Sequence, residues 1–124
     1  MTLKEQIRIM DEIFTKCIDT HEDGQKEYAG DSNDVYANFK RVAKQTGQTE
    51  TKTLLVYLLK HIDGICNYIK GHEVQREPIE GRIVDSIVYL TLLWGMIKEN
   101  KEQGDQYCIT KTPVPLFVGD PDGE

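Results

Sequence analysis

With 124 residues, the chain has room for one domain built round one core. Apolar content of 39% and charged content of 29% match an ordinary globular protein and exclude a disordered polyelectrolyte. The net charge of −6, with fifteen Lys and Arg scattered among twenty-one acids, argues against DNA or RNA as a partner, because neutralising a phosphate polymer needs a basic surface. A small anionic ligand stays open, since a few focused cations can hold it inside an acidic protein.

The opening segment Met1-Thr2-Leu3-Lys4-Glu5 is polar and carries no apolar signal core. The first helix is expected from Leu3 to about His21. Leu3, Ile7, Met10, Phe14, Cys17 and His21 alternate spacings of four and three, which keeps them on one face, the expected inner one. Asp11, Glu12, Asp19 and Glu22 take the other sides, and Gly24 and Gly30 bracket a polar connection. A second helix fits Asp34 to Thr46, with Ser32 as its N-cap. Its inner stripe is Val35, Phe39, Val42 and Thr46, and Gly47 ends it.

Thr49 or Thr51 caps the third helix, where Leu55, Leu58, Leu59, Ile62, Ile65, Cys66 and Ile69 follow the 3.6-residue period until Gly71. Pro78 then opens a fourth helix, in the first-turn position where a missing N–H costs nothing, running to about Asn100. Ile79, Ile83, Ile87, Leu90, Trp94 and Ile97 mark one face of it, and Val84, Val88, Leu92 and Met96 much of the rest. This apolar stretch is interrupted by Asp85, Ser86 and Thr91 and is shorter than the roughly 20 residues of a membrane span, so no membrane is expected. A helix apolar on nearly all sides is packed on nearly all sides. Three other helices can hardly surround it, so a homodimer or higher homo-oligomer is expected.

Beyond Gly104 the periodicity stops. Tyr107-Cys108-Ile109 and Val114-Pro115-Leu116-Phe117-Val118 lie among Pro113, Pro115 and Pro121, a density that excludes helix and central strand. Residues 105–124 therefore read as an extended tail, frayed from Gly119 to Glu124. The expected fold class is all-α: a four-helix bundle-like domain over residues 1–104 with an extended, proline-containing C-terminal tail. Cys17, Cys66 and Cys108 are odd in number and form no CxxC, and two of them fall at core positions. They read as reduced thiols of a cytoplasmic protein, not as disulfides or zinc ligands.

No GxxxxGK[ST] loop, GxSxG elbow or HExxH is present. His21 reads as a core or rim histidine, and His72 falls in a polar turn. On the third helix Tyr57, His61 and Tyr68 share a stripe away from the Leu/Ile face, and Lys60, Asp63 and Asn67 form another. These are either a solvated face with a weak Lys–Asp pair, or one wall of a groove where tyrosines stack and Lys60 or His61 meets phosphate. Arg82, Asp85 and Tyr89 lie at i, i+3 and i+7 on the most apolar helix. A buried charge is costly unless paired. The cluster is therefore either an internal Arg82–Asp85 pair that fixes register, or a site facing a ligand or metal. The stretch from Glu27 through Ser32 to Asn38 and Phe39 is dense in turn-forming and capping residues.

Three segments taken in order carry a resemblance. They are Lys26-Glu27-Tyr28 with Ala37-Asn38-Phe39, then Lys60-His61-Ile62-Asp63, then Glu80-Gly81-Arg82-Ile83-Val84-Asp85 with Tyr89 and Leu92-Leu93. This order resembles the phage-associated nucleotide modification associated domain proteins. Those are small all-α domains related in pattern to the MazG-like nucleoside triphosphate pyrophosphohydrolases. The resemblance spans roughly residues 10 to 100. It implies a dimeric helical bundle with a nucleotide pocket between helices, in phage or prophage nucleotide metabolism.

MazG-like enzymes hold magnesium through two helical carboxylate motifs, ExxE and ExxD, because hard cations need several oxygen ligands. The first motif would here be Asp19-Thr20-His21-Glu22, which keeps two acids. The second would be Arg82-Ile83-Val84-Asp85, where a cation that repels metal and attracts phosphate replaces a carboxylate. The resemblance thus implies a nucleotide-binding accessory protein, or one that sequesters a nucleotide-derived defence signal. Arg82, Lys60 and His61 would meet phosphate, and Tyr28, Phe39 and Tyr57 would stack. Asn38, Asp63 and Asp85 would make polar contacts, with Tyr89 beside them. The alternatives are a magnesium-dependent pyrophosphohydrolase using Asp19, Glu22, Asp63 and Asp85, and an oligomeric interaction protein without chemistry.

Overall fold

Local chemistry sets most of the helix boundaries. In the computed structural model, which describes residues 1–28, 30, 32–72 and 76–103, the order is α1 (Leu3–Tyr28), α2 (Ala37–Thr46), α3 (Glu50–Ile69) and α4 (Ile79–Glu102). The fold is an all-α helical bundle, with no strand among the described residues. The Thr49 hydroxyl accepts from the Lys52 N–H and starts α3. Gly47 (φ 70°) and Gly71 (φ 93°) take the left-handed conformation just past α2 and α3. None of the described helices is long and apolar enough to cross a membrane.

Two boundaries differ from expectation. The first helix runs on to Tyr28, straight through Gly24, whose helical cost of about 1 kcal/mol relative to alanine is too small to end a helix with packed neighbours. The second begins at Ala37, not Asp34. Ser32 Oγ accepts from the Asp34 N–H, and Asp34 Oδ1 accepts from the Tyr36 N–H. The two side chains thus form successive turns ahead of the helix, and Ser32 does not cap it. Lys40 reaches back to the Asp34 carboxylate.

Helices α3 and α4 pack antiparallel: Tyr57 meets Tyr89 and His61 meets Asp85, while Gly64 lies beneath Arg82. The core is Tyr36, Phe39, Leu54, Leu92 and Met96, edged by Val35, Tyr57, Val88, Tyr89 and Leu93. The Tyr36 hydroxyl donates to the Leu92 carbonyl at 3.0 Å, and Gly95 makes the room: a Cβ there would stand 2.5 Å from that hydroxyl oxygen.

Burial is rotated away from the apolar stripes. On α3 the buried residues are Thr53, Leu54, Leu58 and His61, whereas Leu59, Cys66 and Ile69 are exposed. Leu58 of the expected stripe is buried and Leu55, Ile62 and Ile65 are half-buried, so the buried line lies between that stripe and the side that carries Tyr57 and His61. On α1, Leu3, Ile7, Met10 and Phe14 are exposed and Cys17 alone is buried, because α1 packs chiefly against α4. On α4, Val84, Leu92 and Met96 are buried, but Ile83, Leu90, Trp94 and Ile97 face outward, Trp94 at 76% exposure. Cys66 is thus not a core thiol. Cys108 and the tail expected over 105–124 lie outside the described residues.

Candidate functional site

The aromatic side of α3 opens into a cavity of about 770 Å³, within the size range of small-molecule sites. Each helix contributes to it. The extension of α1 beyond His21 supplies Gly24 and Tyr28; α2 supplies Asn38, Phe39 and Arg41; α3 supplies Tyr57, Lys60 and His61; α4 supplies Asp85, Val88 and Tyr89. Glu77, just ahead of α4, closes one side. On α3 and α4 the helical spacings do the positioning, since residues four apart lie on the same face.

Phe39 is 4% exposed and forms the floor. Its ring centroid lies 5.5 Å from that of Tyr57 and 6.2 Å from that of Tyr89, in tilted and edge-on contacts that suit the ring quadrupoles. The His61 ring packs 5.6 Å from Tyr89. Tyr57 is half-buried and Tyr28 exposed, so both retain ring surface for a ligand.

Burial lifts the Asp85 carboxyl above its ordinary range; His61 draws it back, the Glu77 charge adds to the rise, and Arg82 opposes it weakly. Burial also lifts the Tyr89 hydroxyl, with Asp85 contributing. The basic group nearest Asp85 is His61, whose Nε2 lies 3.8 Å from Asp85 Oδ2. One donor atom from each of His61, Glu77 and Asp85 lies within 4.8 Å of the other two.

Eight residues of the expected ligand set line this cavity: Tyr28, Asn38, Phe39, Tyr57, Lys60, His61, Asp85 and Tyr89. Asp63 and Arg82 do not. Arg82 lies across Gly64, with its Nε enclosed and unpartnered. No Arg82–Asp85 ion pair forms among the described residues. The carboxylates named for magnesium are dispersed: Asp19, Glu22 and Asp63 are exposed, and of the four only Asp85 lines the cavity.

Arg41 and Glu77 line the cavity although neither belongs to the expected ligand set, and His21, expected at the core or rim, lines it half-buried. Arg41 follows Asn38 at i+3 on α2, a spacing that could have found it. Glu77 lies in a connection where periodicity gives no signal. Comparisons of the chain with family models, curated proteins and solved structures find no match.

Proposed function

We propose that the cavity binds a nucleotide or nucleotide-derived anion and that the chain works as a homodimer. The observation that carries the binding reading is the convergence of Tyr28, Asn38, Phe39, Tyr57, Lys60, His61, Asp85 and Tyr89 from all four helices onto one cavity. Tyr57 and Tyr28 are the stacking surfaces, at about 1–3 kcal/mol per stacked base, over a floor made by Phe39. Lys60 and Arg41 are the phosphate contacts, taking the place expected of Arg82. Asn38 supplies polar contact to the base or sugar. Binding is preferred to magnesium-dependent hydrolysis because Asp19, Glu22 and Asp63 stand apart from Asp85. The resemblance gives the setting: a phage or prophage accessory in the host cytoplasm, acting in nucleotide metabolism or by sequestering a nucleotide-derived defence signal.

The second copy is proposed from the outward apolar faces. Leu3, Ile7, Met10 and Phe14 on α1, and Ile83, Leu90, Trp94 and Ile97 on α4, are all exposed at the alternating spacings that helices use to pair. A two-fold interface requires the same surface from both partners, and two adjacent helices of each copy would then form a four-helix seam.

Thermal shift of the full chain against deoxynucleoside triphosphates and cyclic nucleotides tests the binding reading. A ligand at one hundred times its Kd stabilises by about 2.7 kcal/mol. A shift for at least one member, reduced by Lys60→Ala, is expected; a flat response across the panel would reject the proposal.

A further inference from the structure

Three side chains from three segments converge at one side of the cavity: His61 from α3, Asp85 from α4 and Glu77 from the connection that precedes α4. His61 is 9% exposed, and its Nδ1 is enclosed without a hydrogen-bond partner. Its Nε2 stands 3.8 Å from Asp85 Oδ2, too far for a hydrogen bond. Two ligands of one ion, each about 2.0–2.2 Å from it, lie roughly 3 to 4.2 Å apart, and the His61–Asp85 separation falls inside that span. Nε2 thus faces Asp85 without a hydrogen bond, and Tyr89 packs beside the ring.

The scaffold holds the three donors from independent directions. The antiparallel packing of α3 on α4 brings His61 to Asp85, and Pro78, with φ −59° and ψ 144°, turns the chain into α4 immediately after Glu77. Arg82 lies over Gly64, and its charge acts on Asp85 less than that of His61 does.

We propose that His61, Glu77 and Asp85 form a binding site for a divalent transition-metal ion of the manganese–zinc class, with its remaining coordination positions open to the cavity. The ion class follows from the donors. An imidazole nitrogen favours first-row transition ions, and carboxylates admit manganese and zinc, whereas magnesium demands near-ideal octahedral oxygen coordination. Three protein ligands leave room for water or an anion oxygen, as open metal sites do. The site does not depend on the nucleotide reading. If both hold, a phosphate oxygen is the occupant of the open position.

The test uses the untagged full chain, stripped with chelator and free of nucleotide. Titration with Mn²⁺ followed by electron paramagnetic resonance should show one ion per chain leaving the free six-line signal, and Zn²⁺ should raise the melting temperature. Glu77 is exposed, so Glu77→Gln removes a ligand without touching the core. Losing a residue that merely supports a ligand weakens metal binding about 10–100-fold, so Glu77→Gln and Asp85→Asn should each weaken it at least about tenfold, with helicity unchanged by circular dichroism. An excess of Mg²⁺ should not displace Mn²⁺. No bound ion, binding that both variants leave intact, or equal competition by Mg²⁺ would each overturn the assignment. With no nucleotide present, failure here leaves the binding reading untouched.

Discussion

Replacing Gly95 with alanine sets two opposed effects against each other. In an α-helix the change gains about 0.8–1 kcal/mol of propensity. At this position the new Cβ would stand 2.5 Å from the Tyr36 hydroxyl oxygen, well inside the 3.4 Å at which ordinary contact begins. Tyr36 is 5% exposed and belongs to the core cluster, so its ring has little room to retreat. Overpacking of this kind costs about 1–3 kcal/mol, and loss of the Tyr36–Leu92 hydrogen bond adds about 1 kcal/mol. Gly95→Ala should therefore be net destabilising by about 1–3 kcal/mol. Gly24→Ala and Gly81→Ala, whose Cβ atoms would meet nothing within 4 Å, should instead stabilise by up to about 1 kcal/mol. In the Tyr36→Phe background the clash partner is gone and the ring carbon at 3.8 Å is in ordinary contact, so Gly95→Ala should there stabilise by up to about 1 kcal/mol. Urea unfolding followed by circular dichroism measures all of these. A stabilising Gly95→Ala with Tyr36 in place, or the same penalty with and without the hydroxyl, would refute the packing argument.

Three further outcomes follow from the same geometry. Trp94→Glu together with Leu90→Glu should convert a dimer to a monomer by light scattering, and an unchanged mass would remove the proposed interface. Thr49→Ala should cost about 1 kcal/mol through loss of the α3 cap, while an unchanged unfolding midpoint would deny that bond any weight. The Lys40 hydrogen bond, with the Tyr36 N–H adding to it, holds the Asp34 carboxyl below its ordinary range. A lowered folded value means stability that is present above the unfolded value and lost as pH falls through the folded one. The Asp34 side chain is 38% exposed, so Asp34→Asn should cost under about 1 kcal/mol at pH 7. It should cost nothing at a pH well below the carboxylate range, and a penalty that persists there would contradict the charge argument.

The helix count and the glycine and threonine punctuation were legible because they depend on local backbone chemistry. Gly47, Thr49 and Gly71 each act within a few residues of themselves. The core faces were less legible. Helical period locates an apolar stripe but not what covers it: on α3 Leu58 is buried and Leu55, Ile62 and Ile65 are half-buried, while His61 is buried from the neighbouring stripe and Tyr68 stays exposed. The stripe of Arg82, Asp85 and Tyr89 faces α3. Its partners there, Gly64, His61 and Tyr57, could be matched to it only once the antiparallel register was known. Glu77 carries no periodic signal, whereas Arg41 shares a face of α2 with Asn38.

Isothermal titration calorimetry of the full chain with a responding nucleotide tests the central claim most directly, with Tyr57→Ala and Lys60→Ala titrated alongside. Lys60 is exposed, whereas Tyr57 is half-buried against the core, so the helicity of each variant is measured by circular dichroism before titration. Saturable binding at one site per chain is expected, weakened about fivefold or more by Tyr57→Ala through lost stacking and measurably by Lys60→Ala. Saturable binding that both substitutions leave unchanged would contradict it, because the nucleotide would then lie somewhere other than this cavity.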